Sequence, residues 1–216
     1  MRPLRRFEIV PLDRYGALRD AYRERVIAYK RTRRVALGEH ATLLFEDRET
    51  LRFQVQEMLW VERISEPAKV QTELDVYNEL MPGESELSAT LFLEITEASE
   101  IRPTLERLVG IDRALVLVLG EEPGATRVPA RFDPRQFEAG RISAVQYLRF
   151  PLAASERALF VDAGVRARLR SEHPSYRREE EIPPAVRAAL IASLAREPEP
   201  LLQPQDTPQA KRGDLA

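Results

Sequence analysis

The chain has 216 residues, 44% hydrophobic and 31% charged, enough for one sizeable core or at most two small ones. Its 33 basic and 35 acidic residues leave a formal net charge of −2, so no global field draws it to nucleic acid or an anionic membrane. It contains no Cys, which excludes disulfides, thiolate catalysis, zinc ribbons and cysteine-ligated iron–sulfur clusters within it.

The opening MRPLRRFEIVPLDRY is basic but lacks the apolar stretch of a signal peptide. The longest apolar run, Ala114 to Leu119, has the length of a buried strand and not of a membrane span. The expectation is a soluble cytoplasmic protein. Cations are mostly Arg, with Lys only at positions 30, 69 and 211, a bias that a GC-rich coding source explains.

Asp13 is expected to cap a long first helix, on which Tyr15, Leu18, Tyr22, Val26 and Tyr29 make one apolar stripe. Its basic end, Arg23 to Arg34, suits the helix dipole. Val35 to Leu37 reads as a short strand broken by Gly38. Thr42 to Phe45 reads as a second strand that stops at Glu46–Asp47, where Asp47 caps another helix. On that helix Leu51, Val55, Met58, Leu59 and Glu62 share one face, and Phe53, Trp60 and Ile64 the opposite one. Glu62 on an apolar face is either an ion pair at the core rim or a functional carboxylate in a cleft.

Ser65 is read as the cap of a third helix that carries Val70, Leu74, Tyr77 and Met81 and ends at Pro82–Gly83. A buried strand follows over Glu86 to Ile95. Next comes a short helix with Leu105, Leu108 and Val109, closed by Gly110. The second half is mainly β. Ala114 to Leu119 and Thr126 to Phe132 suggest a hairpin, Asp133–Pro134 a turn and a helical turn through Phe137, and Ser143 to Phe150 another strand. After a short helix over Ala153 to Phe160, Val165 to Arg170 alternates so that one face is wet and basic, with Arg177 to Ile182 as its partner. A last helix carries Val186, Leu190 and Leu194. The predicted fold is α+β: a helical N-terminal part packed on a mixed, largely antiparallel sheet, with a C-terminal helix. Residues 1–196 form one domain, and 197–216 a disordered Pro-rich tail.

No phosphate loop, dinucleotide fingerprint, nucleophile elbow or HExxH motif is present. The two histidines, His40 and His173, are weak metal candidates, and no cofactor is expected. The best polar cluster by residue type is Arg131 and Asp133 with Gln146 and Tyr147, which surround one mouth if their strands pair.

Five stretches together are more specific: RRVALGEHATLLFEDRET, QVQEMLWVERI, ELDVYNELMPGESELSATLFLEI, RFDPRQFEAGRISAVQYLRFPL and EHPSYR. In this order they resemble an uncharacterised bacterial family, domain of unknown function 3501, over about Leu4 to Leu194. The resemblance names no activity and carries no site residues. It implies a genomic neighbourhood with a rubrerythrin-like di-iron protein and an iron–sulfur protein similar to heterodisulfide reductase subunits.

Three functional readings are compatible with these features. The first is a non-catalytic accessory protein that docks on a redox partner, or a homodimer, through Phe53, Trp60 and Ile64. The second is an enzyme or ligand-binding protein using Arg131, Asp133, Gln146 and Tyr147, with His40, Glu57 or Glu62. The third and weakest is a nucleic-acid-binding regulator using the basic end of the first helix and the Arg166–Arg168–Arg170 face.

Overall fold

The structure is a computed structural model that describes residues 1–136 and 142–206. It has the α+β architecture expected, with helices at the N-terminus, β-structure after them and a C-terminal helix. The first helix, α1 (Leu12–Arg31), buries Tyr15, Leu18, Tyr22 and Val26, the stripe that the spacing gives. It starts one residue before Asp13, which lies in the first turn and accepts from the Arg14 N–H instead of capping.

The strands β1 (Arg34–Ala36) and β2 (Ala41–Glu46) form an antiparallel pair. Gly38 sits in their turn at φ +75, and a Cβ there would lie 2.9 Å from the Tyr176 hydroxyl. That hydroxyl pins the turn, because it donates to Leu37 O and accepts from His40 N–H.

After β2 come α2 (Arg48–Val61) and α3 (Pro67–Asn78). The cap of α3 is Glu66 and not Ser65; Pro67 takes the first helical position, where its missing N–H costs nothing. Two strands, β3 (Glu86–Leu93) and β4 (Leu115–Leu119), flank α4 (Ala98–Arg107).

The expected hairpin forms between β4 and β5 (Thr126–Pro129), but the run to Phe132 is not one strand. The chain changes sheets at Ala130, whose N–H bonds Leu115 O, and continues as β6 (Arg131–Phe132) in the other sheet. The remaining elements are β7 (Val145–Pro151), α5 (Ala154–Val161), β8 (Ala167–His173), β9 (Tyr176–Glu181) and α6 (Pro184–Ala195). The helical turn expected through Phe137 runs from Pro134 to Gln136; Phe137 lies outside the described residues.

One sheet was expected and two are found, of order β1-β2-β3-β7-β6 and β5-β4-β8-β9. Every pairing is antiparallel. The main core contains Leu43, Phe45, Leu91 and Phe150 of the first sheet, Leu117 and Leu169 of the second, and Phe160, Val186 and Leu190 of the last two helices. Two smaller clusters lie among the N-terminal helices. All six residues of β2 are buried, as befits a strand covered on both faces.

The segment after Arg196 does not behave as a free tail through Asp206. Leu202 is 2% exposed, in a cluster with Val10, Tyr15, Leu18, Tyr22 and Val26. The Leu201 N–H donates to Glu49, and Arg14 donates to Asp206 O. A proline-rich stretch with no period still docks when two adjacent leucines meet an aromatic helix face.

Candidate functional site

The polar centre of the molecule is the junction between β2 and α2, where Glu46, Asp47, Arg48, Glu49 and Thr50 are all buried. Asp47 caps α2: its Oδ1 accepts from the N–H groups of Glu49 (2.9 Å) and Thr50 (3.0 Å), and the Thr50 hydroxyl receives the Asp47 N–H. Its Oδ2 takes the Tyr29 hydroxyl at 2.5 Å and Arg33 Nε at 2.7 Å. Arg48 reaches the Glu8 carboxylate and Arg2 O. Glu49 binds Arg52, the Tyr22 hydroxyl and the Leu201 N–H. Asp47, Arg48 and Glu49 each carry a counter-charge with them into the core, the condition under which burying ions is tolerable.

Glu46 is different. Its two oxygens accept from neutral groups, the Thr90 hydroxyl at 2.6 Å and Gln54 Nε2 at 3.1 Å. Burial pushes its carboxyl above the usual carboxylate range; hydrogen bonds from Thr50, Thr90 and Gln54 and the charge of Lys30 oppose that but do not cancel it. Lys30 itself is half-buried, with Nζ 5.1 Å from the centre of the Phe53 ring. It makes no ion pair within 4.0 Å among the described residues. Burial and the neighbouring Arg34 lower its pKa, while Glu46 acts against them.

Strand register brings Tyr147 to the same face, since Thr90 pairs with Tyr147 across β3 and β7. Burial, then Glu46, pushes the Tyr147 phenol up. Tyr77 of α3 is pushed to about 12 by burial, with Tyr147, Glu73, Glu46 and Glu62 adding to it. Glu46 also borders a cavity of about 340 Å³ between β2, the start of β3 and α6, together with Phe45, Ser88, Leu190 and Ser193.

The residues expected from sequence are distributed as follows. Helix α2 ends at Val61, so Glu62 falls on its C-cap and is exposed, not on the buried face. The Phe53–Trp60–Ile64 strip is divided. Phe53 and Trp60 pack on α1, edge-on to Tyr22 (5.4 Å between centroids) and Tyr15 (5.8 Å), while Ile64 joins the cluster of Leu51, Val55 and Leu59. Glu57 is closed by Tyr15, Arg19 and Arg23, and these bonds overcome burial to hold its carboxyl low.

Arg131, Asp133 and Tyr147 do share a recess of about 290 Å³ with Arg135 and Arg149. Asp133 is bound there by Arg135. Gln146 is not among them: strand alternation turns it to the opposite face, where it is fully buried. The imidazole of His173 meets Val109 O through Nε2 and the Ser175 N–H through Nδ1, a structural role. His40 is exposed on the β1–β2 turn. No group of three or more His, Cys, Asp or Glu able to hold a metal occurs among the described residues.

The basic face of β8 is covered by acid. Arg166 meets Glu121 and Glu181, Arg168 meets Glu179, and Arg170 meets Glu122 and Glu179. No helix of the described residues is long and apolar enough to cross a membrane.

The comparisons with known proteins agree with this architecture. The family described as protein of unknown function, DUF3501, matches residues 3–194. The chain belongs to that family. It is also similar to a crystal structure of a novel protein of unknown function from Burkholderia pseudomallei K96243, with 36% identity and a TM-score of 0.81. The similarity covers 89% of this chain and 99% of that one. No curated protein matches.

Sequence reasoning overlooked Glu46 and Lys30. The signal was present in both cases. Thr42 and Glu46 lie on one face of β2, as Ser88 and Thr90 do on β3, which puts polar residues on one face of a largely apolar pair of strands. Lys30 stands out as a lysine among arginines.

Proposed function

We propose that this protein binds a small polar molecule in the cavity beside Glu46, with that carboxyl as the proton-exchanging group. The observation that supports the reading most is the carboxyl itself. It is buried and held by neutral donors, and its residue borders a half-open recess of about 340 Å³. Cavities of roughly this size hold small ligands, and a carboxyl with a raised pKa in such a place is suited to giving or taking a proton. Ser88, Ser193, Arg157 and Glu86 supply further polar edges, and Phe45, Leu87 and Leu190 an apolar wall.

The accessory reading, in which a redox protein docks on Phe53, Trp60 and Ile64, retains a partly exposed strip but a divided one. Helix α1 already packs on the first two.

A fragment screen followed by backbone NMR shift mapping tests the proposal. The expected result is a set of small polar hits whose shifts cluster at Glu46, Ser88 and Ser193 and vanish in Glu46→Gln. Hits confined to the Arg131–Asp133 recess would contradict it and return the site to the β half.

A further inference from the structure

We propose that the free edge of the second sheet, strand β9, pairs antiparallel with β9 of a second copy of this chain, so that two four-stranded sheets join across a two-fold axis at Glu179. This pairing involves no residue of the Glu46 site.

The two sheets end in four edge strands, β1 and β6 in one and β5 and β9 in the other. Three of them are poor templates. β1 has three residues and β6 two, and β5 has four and ends in Pro129, which has no N–H to offer. β9 has six residues, and all but Tyr176 are exposed.

The register shows which backbone groups of β9 point outward. The Ile182 N–H donates to Ala167 O, so these two residues are a hydrogen-bonded pair, and bonded pairs recur at every second residue from there. Arg178 and Glu180 therefore turn their backbone groups to β8, and Arg177, Glu179 and Glu181 turn theirs away. The other side of β8 agrees, since Arg166 O and the Glu172 N–H bond toward β4. Among the described residues the outward N–H groups meet no acceptor, and Arg177 O receives only Arg178 Nη1, at 2.8 Å.

Charge order selects the occupant. Along β9 Arg177 and Arg178 precede Glu179, Glu180 and Glu181. Laid antiparallel on its own copy with Glu179 opposite Glu179, the strand sets Arg177 against Glu181 and Arg178 against Glu180, and symmetry repeats both contacts. The outward residues then face one another, which is the alternation a ladder needs. The neighbouring registers with that alternation set Arg178 against Arg178 or Glu180 against Glu180. The one like-charged contact, at Glu179, is already compensated by Arg168 and Arg170 of the same chain. Arg177, Arg178 and Glu180 make no ion pair within the chain among the described residues; Arg178 lies over the Tyr176 ring, 5.5 Å from its centre. Pairing replaces the Arg178 bond to Arg177 O with one from the Glu181 N–H of the other copy and frees the guanidinium for Glu180. Charges on an edge repel most strands, and here the same charges admit a strand of the opposite order.

Sedimentation equilibrium of the full chain at neutral pH and low salt, over a range of concentrations, tests this. The expected result is a concentration-dependent dimer that weakens as salt rises, because the pairs are exposed. A monomer at every concentration overturns the proposal. Arg178→Glu and Glu180→Arg each make two symmetry-related contacts repulsive, and each is expected to weaken the dimer about tenfold or more. Mixed in equal amounts, the two variants again place opposite charges at both contacts, and a one-to-one dimer of parental strength is expected. That recovery also shows each variant to be folded. Single variants that dimerise like the parent, or a mixture as weak as its components, overturn the proposal.

Discussion

Two regions of this molecule are built from the same residue types at similar spacing and behave in opposite ways. At the β2–α2 junction Asp47, Arg48, Glu49 and Arg52 are all buried, and each is closed by a partner. On the outer face of the second sheet Arg168 and Arg170 meet Glu122 and Glu179 with those carboxylates a third or more exposed. Register places Val118 and Val116 beside these arginines, and both valines are buried. There the Arg170 stem covers apolar surface, while Arg168 is itself buried and donates to Gly120 O as well as to Glu179. Ion pairing therefore says little until burial is known. In the core a missing partner leaves a stranded charge, and at the surface water replaces it.

The contrast is at greatest risk from Asp47→Ala. That change removes the cap of α2 and strands Arg33 beside Tyr29, and the expected loss is about 3–5 kcal/mol by urea denaturation. A loss no larger than that of a surface pair would erase the distinction. Leu202→Ala comes next. It removes a buried side chain from the α1 cluster, with an expected loss of about 2–3 kcal/mol. No loss there would mean that the segment after Arg196 is free in solution.

Glu46→Gln should act in the other direction. Because the folded-state pKa of Glu46 is raised, the folded chain holds that proton more tightly than the unfolded chain does. Its stabilising contribution is therefore full below the unfolded carboxylate pKa and declines as pH rises through the raised one. The variant is expected to be more stable than the parent at neutral pH and to lack that decline. Glu122 and Glu181 on the second sheet have the opposite sign, since hydrogen bonds from Arg170 and Arg166 lower them. Their contribution is present above the unfolded pKa and lost as pH falls. Smallest of all is Arg170→Gln, at under about 1 kcal/mol, and salt should shrink it further. A loss of several kcal/mol would make the outer lattice equal to the buried one.

Much of the fold is legible in the sequence because its signals are local. Asp47 followed by a helical apolar stripe marks the start of α2, and Tyr15 to Val26 marks the buried side of α1. The sheet change at Ala130 is not legible, since an extended run carries no sign of which partner it will leave. Extending the apolar stripe past the last helical turn misplaces Glu62. Residue type alone groups Gln146 with Tyr147, although adjacent residues on a strand face opposite ways. Alternation along β2 puts Glu46 on the same face as Thr42, but nothing local says what that face meets. Its significance appears when β3 brings Thr90 and α2 brings Gln54 against it, and no local pattern contains those contacts.

Titration of the Glu46 carboxyl carbon by NMR in ¹³C-glutamate-labelled protein bears most directly on the site, with the resonance assigned by its loss in Glu46→Gln. The expected midpoint lies above the ordinary carboxylate range, while Glu122 and Glu181 titrate below it. A Glu46 midpoint at or below the ordinary value would contradict the proposed site, because the carboxyl would then have no proton to exchange.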